Sequence, residues 1–173
     1  RAYRLAVARE DGDFNHPVWD SGTVESGESV LVEYGGPELE SRTAYCWRVK
    51  AWDDAGRETP WSEPAFFETT LLDRSEWRAA WITPAADAID PRTDAAFLLR
   101  KAFRAKDGVK AARIYATAAG VYELFVNGRR VSDEELSPGW TSYQHRLQYQ
   151  TYDVTDLLRS GDNAVGIHLG DGW

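Results

Sequence analysis

Between Thr43 and Trp52 the chain alternates strictly enough to constrain its fold, with Tyr45, Trp47, Val49 and Ala51 on one side of an extended backbone and Arg48 and Lys50 on the other. Successive side chains of a strand point to opposite faces, so this segment predicts a strand with one face in a core and the other wet. The same period recurs at Tyr3-Leu5-Val7, Val30-Val32-Tyr34, Ile114-Ala116-Ala118, Tyr122-Leu124-Val126 and Val165-Ile167-Leu169. The 8 Trp, 8 Tyr and 6 Phe join Val and Thr in short runs broken by Gly, Asp, Asn and Pro, as half-buried pleated surfaces require. Helical periodicity is nearly absent, and the predicted class is all-β. Asn127-Gly128, set between an alternating run and Arg129-Arg130-Val131, predicts a type I′ hairpin, because both residues tolerate positive φ. Ser160-Gly161-Asp162-Asn163 predicts a second turn, between Leu157-Leu158 and a strand from Ala164 to Leu169. Both ladders should be antiparallel.

One short helical turn is expected from Asp73 to Trp81, where Asp73 and Glu76 have capping-box spacing and Trp77 and Trp81 fall four apart. It separates two stretches of different character and marks the expected domain boundary. Pro84 to Thr93, rich in Ala, Asp and Pro and without a period, reads as a surface loop. A chain of 173 residues suits one ordinary domain or two small ones.

Charge and composition then narrow the partners. Twenty Lys and Arg against 28 Asp and Glu give a net charge of -8, which repels polyphosphate and makes nucleic acid an unfavourable partner. No apolar run approaches the roughly 20 residues a bilayer span needs. The chain has no Met and opens on Arg1, so it is expected to be part of a longer protein, with its compartment open. The lone Cys46 lies in an alternating apolar stretch and reads as a small buried thiol rather than a nucleophile. His16, His145 and His168 lack zinc-ligand spacing, no serine sits in a nucleophile elbow, and Gly170-Asp171-Gly172 lacks the spacing and the Lys of a phosphate loop.

Leu39, the run Tyr45-Cys46-Trp47-Arg48-Val49-Lys50-Ala51-Trp52-Asp53, Gly56 and Trp61-Ser62 together resemble the F-G hairpin of a fibronectin type III domain, with Tyr45 as the corner tyrosine. Further on come Gly120-Val121-Tyr122-Glu123-Leu124-Phe125-Val126-Asn127-Gly128, Leu136-Ser137-Pro138-Gly139-Trp140-Thr141-Ser142-Tyr143, Tyr149 to Thr155, Gly161 to Gly166 and Leu169 to Trp173. This series is similar to the N-terminal jelly-roll domain of bacterial α-L-rhamnosidases, glycoside hydrolase family 78, and Val18-Trp19-Asp20-Ser21-Gly22 and Tyr34-Gly35-Gly36 resemble its fibronectin-like leader.

The resemblance implies two antiparallel β-sandwiches in tandem. Residues 1–71 would form a fibronectin type III-like sandwich lacking its first strand, residues 72–80 a linker, and residues 81–173 the first part of a jelly roll that continues beyond the chain. It also implies a parent enzyme that removes terminal α-L-rhamnose from glycosides by inversion, with both catalytic carboxyl groups on an (α/α)6 barrel supplied in cis, so no catalytic residue is assigned here. Some family members carry a calcium-using rhamnose-binding module. By that resemblance Asp133, Glu134 and Glu135 are candidate Ca²⁺ ligands, the alternative being a charged loop. Trp140, Asp171 and Trp173 are candidate sugar contacts, an indole stacking on a pyranose and a carboxylate accepting from its hydroxyls, with core packing as the alternative. The region is accordingly expected to be a non-catalytic accessory of a rhamnosidase, a carbohydrate-binding module, or a structural array of sandwiches.

Overall fold

A computed structural model describes residues 1–85 and 96–172. They form two compact units, Arg1–Ala80 and Trp81–Trp173. All pairing is antiparallel among the described residues, and the only helical pieces there are short 3-10 turns. Most of the expected Pro84–Thr93 loop lies outside the described residues.

Unit 1 is built on β1 (Ala2–Arg9) and β4 (Ala44–Trp52), which pair along their whole length, from Ala2 opposite Trp52 to Arg9 opposite Tyr45. The short strands β2 (Trp19–Asp20) and β3 (Val24–Glu25) add to the free edge of β1, and β5 (Ala65–Glu68) adds to β4. Tyr45 is buried as predicted. Its hydroxyl accepts the Glu40 N–H at 3.0 Å, five residues upstream, and its ring stacks on Phe67 with centroids 5.5 Å apart.

Two expectations for this unit are corrected. The face of β4 predicted to be wet is covered, with Cys46 buried on it and Ala6 and Ala8 buried beside it on β1, whereas Trp47 on the expected core face is 37% exposed. Aromatic rings make the difference: Phe14 and Trp61 hold the Arg48 guanidinium between them at 4.1 and 4.5 Å, and Lys50 lies 5.0 Å from Trp52 and 5.1 Å from Trp61. A cation against a π face keeps electrostatic compensation while its aliphatic stem shields the strand, so alternation of charge does not imply a solvated side. The second correction is Val30-Val32-Tyr34, which forms no strand. Leu31 has φ of 56° and is 95% exposed, while Tyr34 packs edge-on against Trp19 at 4.9 Å and donates to the Pro37 carbonyl at 2.9 Å.

The capping box at Asp73 forms as read, around a 3-10 turn at Arg74–Glu76. Asp73 Oδ1 accepts the Ser75 N–H at 2.7 Å, and Glu76 Oε2 accepts the Asp73 N–H at 3.3 Å. Glu76 is further anchored by the Ser41 hydroxyl and by Arg42 at 3.2 Å.

Unit 2 pairs β6 (Phe97–Ala105), β11 (Gly161–Gly170), β8 (Val121–Val126) and β9 (Arg129–Arg130) in that order, and β7 (Arg113–Ala116) with β10 (Gln150–Asp153) in a second sheet. The alternation of β8 is borne out: Tyr122, Leu124 and Val126 point into one apolar cluster with Ala118, Tyr152 and Val154, against which Ile114, Val165, Ile167 and Leu169 pack. Asn127 and Gly128, at φ of 51° and 79°, make the predicted two-residue hairpin between β8 and β9. The second predicted turn is different. Leu157 closes a 3-10 turn at Thr155–Leu157, and β11 already begins at Gly161. Asn163 shapes this entry from within the strand, accepting from Arg159 N–H at 3.0 Å and donating to the Arg159 and Gly161 carbonyls at 2.7 and 2.8 Å.

Asn127 does more than permit the hairpin. Its amide nitrogen donates to Leu157 O at 2.9 Å and to Asn163 Oδ1 at 2.8 Å, and its Oδ1 accepts the Ala164 N–H at 3.0 Å. Replacing it with alanine removes three bonds and places an alanine at positive φ, so Asn127→Ala should lower unfolding free energy by about 2–3 kcal/mol in a urea titration. A loss under about 0.5 kcal/mol would show that solvent replaces these bonds.

Candidate functional site

The three acidic residues of the loop after β9 go different ways. The Glu135 carboxylate takes a 3.0 Å bond from Arg130, which also pairs with Glu123 at 2.8 Å. Glu134, exposed like its neighbours, reaches back to β10, where its Oε2 accepts from the Tyr152 hydroxyl at 3.3 Å and faces Ser137 Oγ at 3.5 Å. Behind it Tyr152 and Tyr122 bring their hydroxyls within 3.1 Å, Tyr122 reaches Gln150 Oε1 at 3.0 Å, and Gln150 Nε2 donates to Pro138 O at 3.2 Å. Burial pushes the Tyr122 phenol far above its usual range, with Tyr152 and Glu134 adding to the effect, so it stays a neutral donor. This chain of polar groups, together with the Tyr122 N–H donating to Ser137 O at 2.7 Å, ties the loop to β8. Asp133 is exposed. No three His, Cys, Asp or Glu side chains among the described residues converge where a metal ion could sit.

Trp140 lies in the loop between β9 and β10 and is 71% exposed, and Asp171 is exposed just past β11. Trp173 lies outside the described residues.

Residues to which the sequence assigns no binding role form a more definite feature on the outer face of the β6-β11-β8-β9 sheet. The register sets Gly166 of β11 opposite Arg100 of β6 and Phe125 of β8, and sets His168 opposite Leu98 and Glu123. Leu124 and Val126 point inward, so Phe125 points outward with Gly166 and His168. The Phe125 and His168 rings lie 4.7 Å apart at 40°, and Glu123 Oε2 is 3.8 Å from His168 Nδ1. An open cavity of about 420 Å³ lies over Gly166 and Ala164, lined also by Leu98, Arg100, Phe125 and His168. The one sequence signal of it is a glycine inside the otherwise β-branched run Val165-Gly166-Ile167.

Among the described residues, the carboxyl groups with displaced titration are displaced downward. Hydrogen bonds from His16, Arg4 and Ser75 hold Asp13, Asp20 and Asp73 low, backbone N–H of Arg57 does so for Asp53, and the Ser41 and Thr155 hydroxyls do so for Glu76 and Asp153. A glycosidic general acid needs the opposite displacement, toward neutrality. The sign also fixes acid behaviour. A carboxyl lowered in the folded state contributes stability above its unfolded pKa and loses it as pH falls through the folded value. Acid titration should therefore begin to weaken the Asp73–Glu76 cap below about pH 4, read as a falling melting temperature. A melting temperature flat from pH 5 to about pH 2 would contradict this.

Comparison with known proteins gives a match along nearly the whole chain. Residues 1–73 match the family model described as "Rha78A-like, N-terminal immunoglobulin domain", and residues 107–173 match "Alpha-L-rhamnosidase N-terminal domain". A protein of Formosa agariphila named "Alpha-L-rhamnosidase" is 38% identical over 183 residues, covering 99% of this chain and 19% of that protein. One of the same name from Alteromonas sp. is 34% identical, covering 99% of this chain and 20% of its own length. Among solved structures, the alpha-L-rhamnosidase from Dictyoglumus thermophilum superposes with a TM-score of 0.88 at 37% identity, covering 98% of this chain and 21% of that one. That from Aspergillus terreus gives 0.82 at 38% identity, covering 100% and 20%. The chain thus spans about a fifth of the length of the curated relatives it matches.

Proposed function

Since this chain belongs to the α-L-rhamnosidase family through its amino-terminal domains, we propose that it is the non-catalytic accessory region of an enzyme that hydrolyses terminal α-L-rhamnose from glycosides. The observation that carries this reading is the continuous match: 99% of the chain aligns at 38% identity with a protein named for that activity, yet occupies only 19% of it. In this reading unit 2 is the start of a jelly roll, the parent is bacterial, and the two carboxyl groups that act by inversion lie on an (α/α)6 barrel encoded in the same polypeptide. The region then serves as an accessory scaffold to the barrel. Its substrate class, rhamnose-containing glycosides, belongs to the parent.

The test is the product of the complete gene, assayed on an aryl α-L-rhamnoside. Release of L-rhamnose is expected. A full-length product that leaves rhamnosides intact and cleaves another glycoside would overturn the reading.

A further inference from the structure

Gly166 sits in the middle of β11, paired on one side to β6 and on the other to β8. Such a position normally carries a β-branched or aromatic residue, and glycine there weakens the strand. Neither backbone nor packing requires it. Its φ lies outside the left-handed region, and a Cβ would meet only Leu99 O at 3.8 Å and Phe125 Cβ at 3.9 Å, both ordinary contacts. By contrast, a Cβ at Gly120 or Gly172 would fall within 3 Å of backbone. The glycine therefore keeps open a space above the sheet that a side chain could have filled. Glycine inside a strand in this way often marks the close approach of a ligand.

What surrounds the space selects the ligand. Phe125 forms one wall, its ring against His168, and Leu98, 73% exposed, lies beside His168 on the neighbouring strand. Arg100 stands across Gly166 from Phe125, and its guanidinium has no ion-pair or hydrogen-bond partner among the described residues. On the Phe125 side Glu123 is held in place by Arg130 at 2.8 Å. An aromatic wall, an open floor of backbone, and planar donors and acceptors at the rim match a pyranose, which offers an apolar C–H face and a ring of hydroxyls. The exposed Leu98 suits a deoxyhexose, whose methyl group replaces a hydroxymethyl.

We propose that the outer face of the β6-β11-β8-β9 sheet is a sugar-binding site, with Gly166 as its floor, Phe125 as its stacking surface and Arg100 and His168 as its hydrogen-bonding rim, and that it takes a terminal deoxyhexopyranose. The choice of sugar rests on the function proposed above, whereas the site rests on the sheet. It needs no metal ion.

Titration of the 173-residue chain with methyl α-L-rhamnopyranoside, followed by amide NMR, tests it. Saturable shifts are expected at Ala164, Gly166, Phe125 and His168, and chelator should not alter them. Gly166→Leu projects a side chain into the space without a backbone clash and should abolish the shifts while the spectrum stays dispersed. Phe125→Ala should weaken binding about tenfold, the factor that corresponds to losing one stacking contact. Absence of saturable shifts on this face, or unchanged binding by a folded Gly166→Leu, overturns the site. If either occurs while the complete gene product still releases rhamnose, the accessory role stands and only this inference falls.

Discussion

Gly120→Ala should be among the most destabilising single substitutions in the chain, lowering the unfolding free energy of unit 2 by about 3–5 kcal/mol. Gly120 is buried, has φ of 143°, and an added Cβ would lie 2.4 Å from the carbonyl oxygen of Gly170. That oxygen cannot swing aside cheaply, because Gly170 is paired with Val121 at the end of the β8–β11 ladder. The methyl group therefore has to displace one of the two central strands or the turn that leads into β8. Chemical denaturation of unit 2 measures the cost, and a loss below about 1 kcal/mol would mean that the close approach of these two backbones is not a fixed feature of the fold.

Tyr45→Ala should cost unit 1 about 3–5 kcal/mol, since it empties a fully buried aromatic site. The ring contacts Phe67, the Arg9 guanidinium lies 5.4 Å from its centroid, and its hydroxyl closes the Glu40 backbone. Tyr45→Phe keeps the ring and removes only the bond to Glu40, so it should cost about 1 kcal/mol. The ratio of the two separates packing from the corner bond. Equal losses would mean that the hydroxyl, and not the ring, holds the segment before β4.

The same residues explain what could be read without coordinates. Tyr122, Leu124 and Val126 were legible because one sheet face meets one core, so periodicity and burial coincide. Asn127-Gly128 and the Asp73–Glu76 cap were legible because each depends on the chemistry of neighbouring residues alone. Val30-Val32-Tyr34 misled because alternation is a property of sequence, whereas a strand needs a partner, and here Tyr34 finds Trp19 instead of a ladder. Arg48 misled for a related reason: its aromatic neighbours, Phe14 and Trp61, are distant in sequence. β6 went unread because Leu98-Leu99 and Arg100-Lys101 break its alternation.

The candidate site was less legible than the fold. The carboxylates of residues 133–135 are adjacent in sequence, yet Glu134 faces Tyr152 and Glu135 faces Arg130. Conversely, Arg100, Phe125 and Gly166 belong to three strands, and only the register of β11 against β6 and β8 brings them together. A glycine in a strand is a visible signal, but it acquires meaning only when the space above it is known to be open.

The proposed accessory role makes this chain a β scaffold of a rhamnoside-cleaving parent that breaks no bonds itself. The most direct test is a rhamnose-release assay on the purified 173-residue chain, with its β content verified by circular dichroism and an aryl α-L-rhamnoside as substrate. A folded protein whose rate equals the buffer blank at every pH is expected. Enzyme-dependent release of rhamnose that tracks the protein through purification would contradict it.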